Sequence, residues 1–394
     1  MANSLTAFNP EYWSKRMQII RHKVPVYRAV ANMEERSNLK DGDVVHRPFR
    51  SDLRVKTYTK GTSITPTDIT GTDESLSVDQ AKIAPFYVDD LDEIQNKYDV
   101  VNRFADDAAR RLEEFIDGDF LGEVVNADHT VDDGDIGGTS GNGIVLTASN
   151  ILKTFAAAGK KLDRANVAMD NRYAVVSPTT HQILVEYMAG KDTAMGDTTG
   201  MNGHVGKFMG FELYLSNNTY YSAKWTPADN PSADDTVTIE GVVFTFKASP
   251  AAAGEVDIGG SLAVTLDNLV AAINNSGTGD GSDYVTLSDA DLATLEGCTA
   301  VDNATNIDIN FEGGGEVTVA ASETADVWSA ELVQLMFGEK GAVDIVVQKE
   351  PSVVFKEVDD KLGKNVFPWV LYGIKTFDEG DAALVNVKLD SSNW

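Results

Sequence analysis

The hydrophobic period changes several times along the chain, and each change marks an element. Between Asp90 and Val125, the apolar residues Val101, Phe104, Ala108, Leu112, Phe115 and Ile116 recur mostly at spacings of three and four. Arg103, Asp106, Asp107, Arg110, Arg111, Glu113 and Glu114 occupy the other side. A helix returns to one face at that interval, so the pattern predicts a long amphipathic helix over Ile94–Val125, broken near Gly118. Upstream, Val44–Tyr58 mixes polar and β-favouring residues, GTSITPTDITGTDES supplies turn formers, and Leu76–Val88 is a second extended run. This reads as a long hairpin over Val44–Val88. Polar on both faces, it has no core of its own, so it is held from outside or stays mobile.

Downstream, the Gly- and Asp-rich loop DHTVDDGDIGGTSGNG ends at Thr147-Ala-Ser-Asn, which offers N-cap residues for a helix through Lys161. A strand (Arg172–Pro178), a helix (Thr179–Met188), a glycine-rich loop to Gly206 and a strand (Phe211–Asn218) follow. After Trp225 the composition turns acidic and rich in Ala, Gly and Thr. That stretch predicts a hairpin (Thr236–Lys247), a helix (Leu262–Asn274) and short strands near Ile307 and Val317. From Glu331 the earlier style resumes, with apolar Leu332–Phe337 and extended runs at Val343–Gln348, Val353–Val358 and Leu384–Leu389. The parse is a host domain interrupted by an inserted one.

Composition narrows the classes. The 394 residues are 42% hydrophobic and 24% charged, ordinary for a globular protein. Apolar runs such as Gly241–Phe244 and Ile345–Val347 fall far short of the roughly 20 residues that span a bilayer. MANSLTAFNPEYWSKRMQII lacks the apolar centre of a secretory signal, so synthesis in a cytoplasm and no membrane partner are expected. The single cysteine, Cys298, excludes an internal disulfide and reads as a small apolar residue.

Charge is distributed unevenly. Residues 226–328 hold eighteen Asp or Glu and one base, Lys247, a net −17 of the chain's −28. Such a surface repels nucleic acid and membranes, which argues against an enzyme that reads DNA. By contrast, the first 30 residues set Lys15, Arg16, Arg21, Lys23 and Arg28 against Glu11 alone. They read as a basic arm that lies near phosphates, crosses onto a neighbour, or is simply a solvated terminus.

No catalytic constellation emerges, and no cofactor is expected. His22, His46, His129, His181 and His204 are scattered, without an i, i+4 pair or HExxH. The clusters at 137–143 and 277–283 lack both the Lys-Ser/Thr ending of a P-loop and the strand and helix context of a dinucleotide site. The Asp-rich stretches Asp132–Asp135 and Gly279–Asp283 could ligate a hard cation but lack the spacing and closing Glu of an EF-hand. There is no GxSxG elbow.

Three runs carry a resemblance. SNILKTFAAAGKKLDRANVAMDNRYAVVSPTTHQILVEY (Ser149–Tyr187), with Ala168 where proline is common, is similar to a segment of tailed-bacteriophage major capsid proteins. GHVGKFMGFELYLSNN (Gly203–Asn218) and AVDIVVQKEPSVVF (Ala342–Phe355) followed by YGIKTF (Tyr372–Phe377) resemble later parts of the same family, in the same order. The resemblance implies an α+β, Hong Kong 97-type coat fold. Residues 1–42 would be an N-terminal arm and 43–89 an extended hairpin loop over a neighbour. Residues 90–146, completed by 378–394, would be a peripheral domain with a long spine helix. Residues 147–225 with 329–377 would be the axial domain, and 226–328 an inserted β-rich α+β domain. The DTVTIEGVVFTFKASP and LAVTLDNLVAAINNS runs of that insertion look like a module recurring in phage virion proteins.

The implied role is a non-enzymatic coat subunit of the virion, forming pentamers and hexamers of an icosahedral shell around non-specifically held double-stranded DNA. Scaffold and portal proteins, and a cement protein, are implied partners; with no long extension ahead of the arm, any scaffold is expected to be separate. Arg50, Arg54, Lys56 and Lys60 are expected at inter-subunit contacts, and Lys15, Arg16, Arg21 and Lys23 on a DNA-facing arm. Some phage coats join subunits through a lysine–asparagine isopeptide bond; Lys56 and Lys60 lie in the hairpin, but the sequence identifies no partner. The insertion is expected to fold alone and face outward. The rival reading is an acidic, calcium-dependent surface or adhesin-like binding protein, which would need an export signal.

Overall fold

The computed structural model describes residues 20–34, 42–50, 55–63, 71–95, 100–191, 206–277, 279–295, 297–302, 305–311, 319–323, 326–358 and 362–390. A short helix, α1 (Tyr27–Val30), precedes four strands, β1 (Val44–Arg50), β2 (Gly71–Ser77), β3 (Gln80–Ile83) and β4 (Phe86–Asp89). Within the predicted long helix the described residues form α2 (Asp90–Gln95) and α3 (Val100–Gly122). A 3-10 turn, Glu123–Asn126, ends it. Leu112, Ile116, Phe120 and Leu121 form the buried stripe of α3. Gly118 does not break it: α3 runs through that position, its tertiary packing outweighing the roughly 1 kcal/mol propensity cost of an interior glycine.

Most of the remaining strands build one nine-stranded sheet. It takes β5 (His129–Val131), β6 (Arg172–Val176), β7 (Lys207–Phe208), β8 (Phe211–Leu215) and β9 (Tyr220–Thr226). α4 (Ile151–Arg164) and α5 (Pro178–Ala189) flank it. Ser177 caps α5 by accepting from the Thr180 N–H at 3.2 Å, and Pro178 opens the first turn, where its missing N–H costs nothing. From α4, Phe155 meets Phe208, Phe211 and Phe337 at centroid distances of 5.0, 6.0 and 4.9 Å.

The acidic segment contributes β10 (Thr236–Ile239), β11 (Val242–Lys247), β12 (Glu255–Asp257), α6 (Leu262–Ile273), β13 (Cys298–Asp302), β14 (Ile307–Phe311) and β15 (Val319–Ala321). β12-β11-β10-β15 make a small sheet of their own. β13 and β14, however, extend the large sheet, since β14 pairs with β9 from Ile307↔Trp225 to Phe311↔Tyr221. The boundaries read at 225/226 and 328/329 fall inside strands: β9 ends at Thr226, and β16 (Val327–Glu339) begins before Trp328. These strands pair with each other, Trp328↔Trp225, so the two ends of the segment do lie together. Its apolar residues join the host's in one continuous core, and the Trp225 and Phe246 rings stack at 6.1 Å. A self-contained fold for 226–328 is therefore corrected.

Two further expectations change. β17 (Val343–Glu357) and β18 (Gly363–Thr376) pair along their length. They belong to a four-stranded sheet with β3 and β4, not to the sheet of residues 147–225 with which 329–377 is grouped above. α3 packs on this sheet: Leu112, Ile116 and Phe120 share a core with Ile345, Val347, Val370 and Tyr372. The hairpin is also shorter than Val44–Val88. β1 and β2 pair from Val44↔Ser77 to Arg50↔Gly71, whereas residues 80–89 pair with β18. The last strand, β19 (Leu384–Asp390), returns to the large sheet between β16 and β5.

Candidate assembly interface

The hairpin that lacks a core of its own is held at its base by the four-stranded sheet. Leu76 and Val78 bury against Val346 and Phe377. Arg47 projects from β1 and grips Asp344 with both arms of its guanidinium, Nη2 to Oδ1 at 2.8 Å and Nη1 to Oδ2 at 3.0 Å. Nη1 also reaches Glu379 Oε1 at 3.0 Å, and the guanidinium lies 4.2 Å over the Phe377 ring. Asp344 is 2% exposed, and a bidentate fork to a buried carboxylate fixes orientation as well as distance. Lys375 Nζ donates to the Ser75 carbonyl at 3.0 Å, and the Asp378 N–H to Glu74 Oε2 at 3.2 Å.

Away from the base the ribbon is bare: Phe49, Val55 and Tyr58 are 43%, 100% and 60% exposed. Lys56 and Lys60 are exposed there, Lys60 next to a turn closed by the Thr62 N–H on the Thr59 carbonyl at 3.1 Å. Arg50 ends β1 opposite Gly71; its side chain, and the whole of Arg54, lie outside the described residues. Sequence reading missed Arg47. Nothing local separates it from Arg50 and Arg54, because its partner is 297 positions away.

The arm is not loose over its described part. Lys15 and Arg16 lie outside the described residues, Arg21 is exposed and Lys23 is half-buried. The Lys23 N–H donates to Glu114 Oε1 at 2.6 Å, and the His22 ring nitrogens sit 3.2 Å from Asp107 and Glu114. Burial pushes the Lys23 ammonium down from its ordinary value against the opposing pull of Glu114. Asp117 in α3 is the centre of the clasp. Fully buried, its Oδ1 accepts from the N–H groups of Val26 at 2.6 Å and Tyr27 at 2.9 Å, and its Oδ2 from Asn218 Nδ2 at 2.8 Å. Desolvation raises its carboxyl above the usual range, with the hydrogen bonds pulling the other way. One carboxylate thus joins arm, long helix and the β8–β9 connection. Beyond it, the arm bridges to β17 through Asn32, whose N–H reaches the Val343 carbonyl at 2.9 Å.

Elsewhere the candidate chemistry is spent on structure. Among the described residues no group of three or more His, Cys, Asp or Glu is placed to hold a metal, and no helix is long and apolar enough to cross a membrane. Asp132 and Asp135 close a capping box on their own loop, and Asp132 also accepts from the Gly141 N–H at 2.7 Å. Partial burial raises the Asp132 carboxyl, but these N–H groups outweigh it and hold it below the usual carboxylate range. Burial pushes the Cys298 thiol up to about 12, so it is inert as a nucleophile.

The phage capsid protein family model matches residues 52–256. A search of curated proteins gives no match. Among solved structures, a chain of Mycobacterium phage Che8 is 18% identical with a TM-score of 0.60, covering 97% of this chain and 98% of its own. The capsid of cyanophage P-SCSP1u is 13% identical with a TM-score of 0.57, covering 98% of this chain and 94% of its own. The capsid of Myoviridae phage XM1 is 10% identical with a TM-score of 0.51, covering 98% and 99%. At these identities the structures speak for fold, a mixed α+β architecture shared with phage capsids. The family model covers more than half of the 394 residues and contains two of the three sequence runs, Ser149–Tyr187 and Gly203–Asn218: the chain belongs to the phage capsid protein family.

Proposed function

We propose that this protein is the coat subunit of a tailed phage, assembling through pentamers and hexamers into an icosahedral shell around double-stranded DNA. In this reading it catalyses nothing, is made in the bacterial cytoplasm, and works in the virion with scaffold, portal and cement partners. The fold is of the Hong Kong 97 type, with α3 as the spine of the peripheral domain and the 226–328 segment as an outward-facing elaboration. A net −17 on that segment is unfavourable against packaged phosphates and harmless toward solvent. The observation that carries the reading is the hairpin: clamped at its base by Arg47 and Asp344, it carries Val55 and Tyr58 largely exposed among the described residues. A lone two-stranded ribbon is marginal in water, and a second subunit beneath it supplies the missing contacts. Arg50, Arg54, Lys56 and Lys60 are the charges it brings to that contact. Deleting residues 58–73 is expected to leave a folded subunit, by circular dichroism, that gives no stable shells by electron microscopy and light scattering. Normal shells with unchanged melting would refute the role given to the hairpin.

A further inference from the structure

We propose that the groove between the arm and α3 is a docking site for the phosphate backbone of double-stranded DNA, read without regard to sequence. This rests on the coat reading above and adds two residues of the spine helix to it. The groove is open, with a volume of about 690 Å³. Arg21 and Lys23 line the arm wall, and Arg103, Asp106, Asp107 and Arg110 line the helical wall. Four bases against two carboxylates leave a positive concavity on a chain whose net charge is −28. Asp107 is already engaged by His22 Nε2 at 3.2 Å, which further reduces what it presents to an anion.

The groove is preformed. Its helical wall cannot roll, because the opposite stripe of α3 is fixed by Leu112, Ile116 and Phe120 in the core. Its other wall is fastened by the Lys23 N–H on Glu114 and the Val26 and Tyr27 N–H groups on Asp117. Arg103 and Arg110 are both exposed and stand seven residues apart, about two helical turns or roughly 10 Å along one face. One DNA strand advances about 3.4 Å per phosphate, so the pair spans about three nucleotides.

The lining favours a nucleic acid over an acidic protein. Its apolar residues, Ile20, Val24 and Pro25, are confined to the arm wall, whereas a protein partner is anchored by a desolvated aromatic or aliphatic centre. Forked, solvated arginines at the mouth suit phosphate oxygens and carry no base readout. The arm bases Lys15 and Arg16 precede this wall in sequence.

The test uses purified full-length protein as unassembled capsomers, with two fluorescein-labelled 20-base-pair duplexes of unrelated sequence, by anisotropy between 50 and 200 mM NaCl. Equal affinity for both duplexes is expected, with log K falling linearly against log salt. The double variant Arg103→Gln/Arg110→Gln should flatten that slope by about 1.8, at about 0.9 for each phosphate no longer neutralised, while Arg110→Lys, which keeps its charge, should not. Circular dichroism and melting of each variant separate weakened phosphate binding from impaired folding. A slope unchanged in the double variant, or a wild-type protein with no salt-dependent binding, overturns the groove while shells in the microscope still uphold the coat. A double variant that loses its shells but keeps its slope also overturns the proposal and assigns the groove to an acidic protein surface. A wild-type chain that never forms shells defeats the coat reading and leaves the groove to be judged on the slope alone.

Discussion

At the scale of residues, two carboxylates set the consequences that can be measured. Asp117 serves three buried donors from α3, and leaving a buried donor unpaired costs about 1–3 kcal/mol. Asp117→Ala is therefore expected to lose at least about 3 kcal/mol in urea unfolding and to expose the amides of residues 26–30 to hydrogen exchange. Asp117→Asn should cost much less. Its amide oxygen can keep the two backbone donors, and its NH₂ can face the Oδ1 of Asn218, which now lies buried without a hydrogen-bond partner, once that amide turns over. Equal losses in the two variants would show that acceptor geometry is not what Asp117 supplies. Asp381 behaves oppositely. Burial first, then Asp128, Asp378, Glu123 and Glu74, raise its carboxyl from 3.8 to about 6. Between those values the folded protein holds a proton that the unfolded chain releases, so stability falls as pH rises from about 4 to 6, and the penalty is complete above that window. Solvent screening keeps it to the order of 1 kcal/mol. Asp381→Asn should raise the melting temperature at pH 8 and change little at pH 4; the same gain at both values would remove the ionised carboxylate as its cause.

At the scale of elements, what was legible in the sequence was what depends on neighbours along the chain. The three-and-four spacing of Leu112 and Ile116 predicted α3, a strand through Pro178 and a helix from Thr179 came within two residues of β6 and α5, and the turn formers after Tyr58 predicted a hairpin, although Gly71–Ser75 of that run lie in β2. What stayed hidden was partner choice. Residues 80–89 have the alternation of a strand whether they continue β2 or join β18, and only the latter occurs, across nearly 300 positions. The same holds for the clamp: Arg47 and Asp344 are individually ordinary charges, and the fork between them exists only once β17 lies under the hairpin. Burial of Asp117 was equally unreadable, since a charge on an amphipathic helix is normally assigned to water. Of the arm bases expected to face DNA, Arg21 and Lys23 line the groove, while Arg103 and Arg110 read only as part of a helix face turned to water or a partner, because the sequence does not show the arm as the opposite wall.

At the scale of the whole molecule, the acidic segment decides whether the chain is modular. Composition alone separates residues 226–328 from the rest, yet β14 lies against β9 in the large sheet, and the segment's core is continuous with the host's. The segment threads twice: β10 to β12 build the small sheet, β13 and β14 leave it for the host sheet, and β15 returns to the small one. No single cut removes the small sheet and spares the large one. Replacing 226–328 with a short linker strips β14 from β9 and uncovers Tyr221, Ala223 and Trp225, which are 3%, 2% and 0% exposed. At about 1.5–3 kcal/mol for each large side chain returned to water, the shortened chain should melt on the order of 10 °C lower. The excised piece, with β14 left as an open apolar edge, should self-associate in gel filtration and melt without a cooperative transition. A monomeric fragment with a sharp calorimetric transition, beside a shortened host that melts like the full chain, would show that the shared sheet carries no stability and that the segment is an independent domain after all.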